Sequence, residues 1–230
     1  MTHYACAVLV LGALAAAGCG TAHMVVPSDI ASSTEVVEVK DRSSWSGSLA
    51  DESFKLGPYA ITDVDRDWSS TRSTSLFGFA SDRTKSGYAY HFKRGASDVS
   101  AECATESGGD EADLAFGIHA TSSFAKLGCT CGEGVKVVVG AKTDKQYTGE
   151  LTTRKATYQV SAIYEADGML ANGDPTGYRV DGETPLGAVE VVRPGRAYFK
   201  KGLDEAEHAD LACLYAGLLL YEPPKEKEKH

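Results

Sequence analysis

The stretch from Leu211 to Tyr221 (LACLYAGLLLY) carries no charge, is entered through Asp204-Glu205-Ala206-Glu207 and is followed by Pro223-Pro224. A continuous apolar run fits helix and strand equally well by periodicity, so residue choice decides. Between Gly202 and Glu222 there is no Val, Ile or Thr, whereas Leu and Ala abound, and this predicts a helix over 204–221. Asp204 is placed as its N-cap, Glu207 has the spacing of a capping box, and both carboxylates suit the positive end of the helix dipole. Beyond Ala209 the apolar side chains surround the axis, with Asp210 as the main interruption, so the helix has no face suited to water. A bilayer-spanning helix needs about 20 apolar residues, and this run is far shorter. Protein must therefore enclose it.

The chain ahead of that helix reads as strands separated by turns. Val36 to Val39 is a short strand signal, followed by turn-rich Asp41 to Ala50. Tyr59 to Trp68 alternates with a one-residue slip near Thr62, as a β-bulge produces. Tyr88 to Phe92, the turn Lys93-Arg94-Gly95 and Val99 to Thr105 form a hairpin pattern. Further strands follow at Phe124–Cys131, Val135–Val139, Tyr147–Thr152, Thr157–Tyr164, Gly177–Val180, Leu186–Val192 and Ala197–Phe199. Turn signals stand at 108–111, 132–134, 142–145, 171–175 and 194–195. No internal repeat or heptad pattern appears.

A long antiparallel series closes its edges by forming a barrel, and a wide barrel needs something inside it. The expected fold is mainly β, an antiparallel β-barrel wrapped around the buried C-terminal helix; the alternative is a β-sandwich with that helix packed on or between its sheets. The order of elements over about 53–221, with the late strand Leu186–Val192 and the terminal helix, resembles the tubby-like family, which includes the phospholipid scramblases. The resemblance implies roughly twelve strands around the helix. It carries over no lipid, phosphoinositide or scrambling role, because no matching binding residues are present.

At the other terminus, Ala5 to Ala17 is an apolar and small-residue run of signal-peptide length ending in Ala16-Ala17-Gly18-Cys19. This tetrapeptide resembles the lipobox of bacterial lipoproteins, although the n-region Met1-Thr2-His3-Tyr4 has no Lys or Arg and Ala16 stands where that family most often has Leu. The resemblance implies cleavage after Gly18 and lipidation of Cys19, giving a signal peptide over 1–18. Gly20 in place of Asp implies sorting to the outer membrane of a Gram-negative envelope. An ordinary secretory signal cleaved nearby is the competing reading. Residues 20–34 are small, polar and aperiodic, and read as a tether within an N-terminal segment of 19–52. The β-rich domain then covers 53–222, and Lys225 to His230 (KEKEKH) is a solvated, mixed-charge tail within 223–230.

Export places the remaining cysteines where disulfides persist. Cys103 and Cys129 lie in neighbouring strand-like runs and are expected to pair, closing a loop worth roughly 3 kcal/mol. Cys131 and Cys213 form a second bridge or stay as buried thiols. Zinc is disfavoured, because Cys129-x-Cys131 lacks the usual spacing and a second Cys/His pair.

The net charge of −9 and the absence of a basic patch interleaved with aromatics oppose nucleic-acid binding. Asp63, Asp65 and Asp67 alternate along a strand and would present three carboxylates on one face, suited to Ca²⁺. As a calcium loop the segment fails, with Trp68 where the turn wants Gly and Thr74 where a bidentate Glu belongs. Arg66 is expected to stack near Trp68 or pair with a buried acid. His91 and His119 lie in strand-like runs and read as structural. No G-x-S-x-G, H-E-x-x-H, phosphate loop or dinucleotide motif is present, so neither a catalytic residue nor a cofactor is assigned. The leading expectation is a lipid-anchored envelope protein with a non-catalytic structural or interaction role, its partners the membrane that holds its lipid and an envelope protein or ligand that the sequence does not identify. A carrier for a small apolar ligand or lipid, and an unrecognised hydrolase or metal enzyme, are the alternatives.

Overall fold

The computed structural model describes residues 22–42, 52–67, 84–108, 112–113, 119–120, 124–141, 146–167 and 174–221. In chain order the elements are β1 (His23–Met24), α1 (Ser28–Ser33), β2 (Thr34–Lys40), β3 (Glu52–Leu56), β4 (Tyr59–Asp67), β5 (Thr84–Arg94) and β6 (Ser97–Gly108). They continue with β7 (Ala112–Asp113), β8 (His119–Ala120), β9 (Phe124–Cys131), β10 (Lys136–Ala141), β11 (Tyr147–Thr152) and β12 (Thr157–Ile163). The series ends with β13 (Ala166–Asp167), β14 (Gly177–Asp181), β15 (Pro185–Glu190), β16 (Arg196–Lys200) and α2 (Glu205–Leu220).

Twelve of these strands form one closed antiparallel barrel in simple chain order, β2-β3-β4-β5-β6-β9-β10-β11-β12-β14-β15-β16, and β16 pairs back to β2 through Ala197↔Val37 and its neighbours. Eight strands make a barrel that its own side chains fill, whereas twelve leave room on the axis. α2 occupies that room. It touches β6 and β9 on one side and β15 and β16 on the opposite side, and every residue from Asp210 to Tyr221 is buried. The inward side chains of the wall, among them Phe54, Ile61, Leu127, Leu151 and Val180, join Leu211, Leu214 and Leu218 in one apolar cluster. Each fully buried leucine contributes about 1.5–3 kcal/mol relative to exposure.

Asp204 caps α2 as expected, its Oδ1 accepting from the Glu207 N–H at 2.9 Å. The reciprocal half of the capping box is not made. Glu207 instead accepts from the Tyr158 hydroxyl and from Lys155, since the β11–β12 hairpin presents a charged donor that a backbone N–H cannot match. The bulge expected near Thr62 lies between Thr62 and Asp65, where the register to β5 shifts.

The barrel has two unlike mouths. Around the start of α2, the entry mouth, strands are joined by residues 57–58, 95–96, 132–135, 153–156 and 182–184; at the opposite end, the exit mouth, residues 191–195 join β15 to β16.

Two boundaries differ from the sequence reading. The domain begins well before 53, because β2 is the stave that closes the barrel against β16. The expected tether over 20–34 is folded from residue 22 onward: β1 pairs with β13, and α1 lies across the outer faces of β15 and β16. Met24 and Ile30 supply the cause, since both are buried against Ile163, Ala188 and Tyr198 in a second, external apolar cluster. Met24 and Ile30 stand in a short aperiodic stretch, yet they suffice where a wall already offers cover.

Candidate functional site

The chemically dense regions of the molecule are the two mouths, where the ends of α2 meet the wall. At the entry mouth the β11–β12 turn supplies two cations to two acids of the helix. Arg154 donates from Nη2 to Asp210 Oδ1 at 2.6 Å and from its backbone N–H to Oδ2 at 3.2 Å. Lys155 Nζ bridges Asp204 Oδ2 at 3.1 Å and Glu207 Oε2 at 3.0 Å. The Tyr158 hydroxyl is pushed up to about 12 by burial and by the Glu207 carboxylate it faces. The Glu207 N–H and then Lys155 hold the Asp204 carboxyl below its usual range. These contacts give Asp210, the main polar interruption of the apolar part of the helix, a defined partner instead of leaving a buried charge unpaired.

On the other side of the same mouth, His208 lies between the rings of Tyr59 and Phe199, with centroids 5.7 and 4.1 Å away. Its Nδ1 stands 2.9 Å from the Tyr59 hydroxyl. Burial lowers the His208 pKa, against an opposing pull from the Glu35 charge, so the imidazole is held towards its neutral form. Arg94 lies 5.5 Å above the Tyr59 ring and pairs with Glu205 at 2.7 Å.

At the exit mouth three guanidiniums converge on one carboxylate. Arg66 Nη2 reaches Glu52 Oε2 at 2.7 Å, while Arg42 and Arg193 approach Oε1 at 3.8 and 3.7 Å. Arg42 and Arg66 also donate to the carbonyls of Leu219 and Leu220, at the negative end of the α2 dipole. Arg66 thus pairs with a part-buried acid, close to the second of its two expected roles, and its guanidinium lies 5.5 Å over the Tyr88 ring.

Between the mouths runs a column of sulfur and phenol. Cys103 and Cys129 face each other across β6 and β9 and form one disulfide; Cys131 and Cys213 form another, fastening the wall to the helix. The first is the pairing expected from sequence; for Cys131 and Cys213 the bridge, and not the pair of buried thiols, is the alternative found. Gly217 lets the first bridge lie against α2, since a Cβ there would be 2.9 Å from Cys129 Sγ and 3.3 Å from Cys103 Sγ. On the far side the relation is reversed: a Cβ on Gly187 of the wall would stand 2.7 Å from the Tyr215 hydroxyl of the helix.

Outside the barrel, the fully buried Glu190 holds the N-terminal strap. Its Oε1 accepts from His23 Nδ1 at 2.9 Å and from the Met24 N–H at 3.0 Å, and Arg196 Nε stands 3.7 Å from Oε2. His23 Nε2 lies 3.3 Å from Arg196 Nη2.

Of the acidic residues singled out from sequence, Asp63 and Asp65 have described side chains. Asp63 is exposed in a left-handed backbone conformation, φ +54°, and its carboxylate accepts from Thr62 Oγ1 at 2.7 Å and Lys93 Nζ at 3.0 Å, bonds that lower its pKa. Asp65 is exposed on the same strand, and the side chain of Asp67 lies outside the described part. Among the described residues no group of three or more His, Cys, Asp or Glu is placed to hold a metal ion. His91 pairs with Asp98 at 2.8 Å on the outer surface. His119 sits in β8 opposite Asp113. Cys19, Trp68, Thr74, residues 109–111, 142–145 and 171–173 and the 223–230 tail lie outside the described residues.

Sequence reasoning did not find His208, the Glu52 cluster or Glu190. Each depends on a partner distant along the chain, Tyr59 for His208, Arg66 for Glu52 and His23 for Glu190, and none carries a local motif. The helix acids were the exception, visible as Asp204, Glu207 and Asp210 in an otherwise apolar segment. No helix among the described residues is long and apolar enough to cross a membrane. Comparisons with family models, with curated proteins and with solved structures find no match for this chain.

Proposed function

We propose that this protein is a lipid-anchored component of a bacterial cell envelope, exported by its N-terminal signal, lipidated on Cys19 and working as a non-catalytic structural or interaction domain. The observation that carries the reading is the pair of disulfides. All four cysteines of the barrel domain are bridged, one bridge crosses the wall and the other ties wall to helix, and such bridges persist in oxidising compartments. The lipobox-like Ala16-Ala17-Gly18-Cys19 supplies the address and the anchor, and Gly20 favours the outer membrane. Two or more acyl chains suffice for stable attachment.

α2 lies on the axis where a carrier of the lipocalin type would hold its ligand, which favours a solid scaffold over a vessel. The charged groups described at both mouths pair with each other or with helix carbonyls and act as fasteners. The architecture of twelve consecutive antiparallel staves around a C-terminal helix supports grouping the domain with the tubby-like barrels.

The test is metabolic labelling with palmitate together with membrane fractionation. The protein is expected to take up label and sediment with membranes, and Cys19→Ala to lose both properties. An unlabelled protein whose Cys19→Ala variant stays in the membrane fraction overturns the anchor.

A further inference from the structure

We propose that the exit mouth of the barrel lies against the bilayer, with the corner formed by His23–Met24, Glu165 and the 191–195 turn at the lipid headgroups. The proposal rests on the lipid-anchor reading above and adds the face and the orientation.

β12 runs from the entry mouth, where Thr157 pairs with Thr152, to the exit mouth, where Ile163 pairs with Gly177. β13 continues beyond it, and β1 runs antiparallel to β13, with Met24 opposite Ala166 and His23 opposite Asp167. The Val25 N–H donates to Glu165 O at 2.9 Å. Moving back from Val25 to Ala22 therefore leads away from the barrel body at the exit mouth. The neighbouring 191–195 turn confirms which mouth this is, because a Cβ on Gly195 would stand 2.6 Å from Leu219 in the last turn of α2.

Chain length then limits the distance. From Cys19 to Ala22 there are three residue steps, which span at most about 11 Å when fully extended. The strap does not lengthen that reach. Met24 and Ile30 are buried at 3% and 0% exposure, and Glu190 clamps both the His23 ring and the Met24 N–H. Peeling the strap away would expose those apolar groups and leave a buried carboxylate without two of its donors. The acyl chains of a lipidated Cys19 are seated in the hydrocarbon, so the first folded residues meet the headgroup layer. The entry mouth lies at the far end of a 16-residue helix, about 24 Å away along its axis, and points away from the membrane.

The experiment compares hydrogen exchange of the full lipidated chain in vesicles of phosphatidylethanolamine and phosphatidylglycerol with that of Cys19→Ala protein in solution, with intact mass recorded for both. Exchange at 22–25, 164–167 and 191–195 is expected to slow at least about threefold in vesicles, with the turns at 95–96, 132–135, 153–156 and 182–184 unchanged. A Gly/Ser insertion of about twelve residues between Thr21 and Ala22 is expected to keep the lipid and abolish the slowing. Slowing at the entry turns, or no difference in a chain whose mass shows the lipid, overturns the orientation. A mass without lipid overturns the anchor itself and the orientation with it.

Discussion

The Tyr90 hydroxyl donates to the carbonyl of Cys213 at 2.7 Å, and two residues earlier on the same strand the Tyr88 hydroxyl donates to the carbonyl of Gly217 at 2.6 Å. Two residues of strand rise about 6.8 Å and four residues of helix about 6.0 Å, so β5 and α2 match one another turn for turn. The helix is thereby held at one height in the barrel, with Cys213 level with Cys131 and Gly217 level with the Cys103–Cys129 bridge.

Removing either hydroxyl is expected to weaken the fold without disrupting it. Tyr90→Phe and Tyr88→Phe each delete one buried hydrogen bond to a carbonyl, worth about 1 kcal/mol. Urea unfolding measures the cost. Because the two bonds act on the same helix, the double variant should depart from the sum of the singles. Unchanged midpoints in both single variants would show that these contacts do not hold α2 in register.

The disulfides should contribute unequally. Cys131–Cys213 spans 82 residues and Cys103–Cys129 spans 26. In the chain-entropy account the longer loop is worth about 4–5 kcal/mol and the shorter about 3–4 kcal/mol. Replacing Cys131 and Cys213 together by Ser should therefore lower the unfolding free energy more than replacing Cys103 and Cys129, and it also frees the helix from the wall. Denaturant unfolding of the two double variants gives the comparison, and the reverse order would contradict it.

The legible part of this fold was the part written in short-range patterns. Alternation at Tyr88-Ala89-Tyr90-His91-Phe92, the bulge near Thr62 and the valine-free helix with its Asp204 cap all specify local geometry that the barrel keeps. The stave that the reading passed over is β3, only five residues long, although Phe54 and Leu56 are buried and the Gly57-Pro58 turn follows directly. What the sequence could not display were partners distant along the chain. Glu52 lies 14 residues from Arg66, Asp210 lies 56 from Arg154, and His23 lies 167 from Glu190. Each is an ordinary charged residue until closure of the barrel brings its partner alongside.

His208 makes stability depend on pH in a defined direction. Burial lowers its folded pKa below the ordinary value near 6.5, so in the window beneath that value the unfolded chain binds a proton that the folded chain resists. The contribution is complete above about pH 6.5 and is lost as pH falls towards the depressed folded value. His208→Phe keeps a ring between Tyr59 and Phe199 but cannot titrate. Urea midpoints at about pH 7.5 and about pH 5.5 should therefore fall more for the natural protein than for His208→Phe. Equal falls would show that His208 is not held neutral.

Charge placed on the axis should be decisive for the fold and neutral for the proposed anchor. Leu214 and Leu218 are both fully buried within the ring of strands, with apolar neighbours on every side. Leu214→Asp or Leu218→Asp would remove an apolar side chain and bury a carboxylate without a partner, at a cost of about 4 kcal/mol or more. Total stabilities of domains run about 5–15 kcal/mol, so the strand signal in circular dichroism should be lost or survive only at low temperature. Val36→Asp is the matched control, since Val36 is 55% exposed on the outer wall and should tolerate the same charge. On the proposed lipid-anchor reading, palmitate labelling should persist in all three variants, because lipidation would read the segment around Cys19 and not the barrel. A folded Leu214→Asp protein would mean that α2 does not fill the barrel.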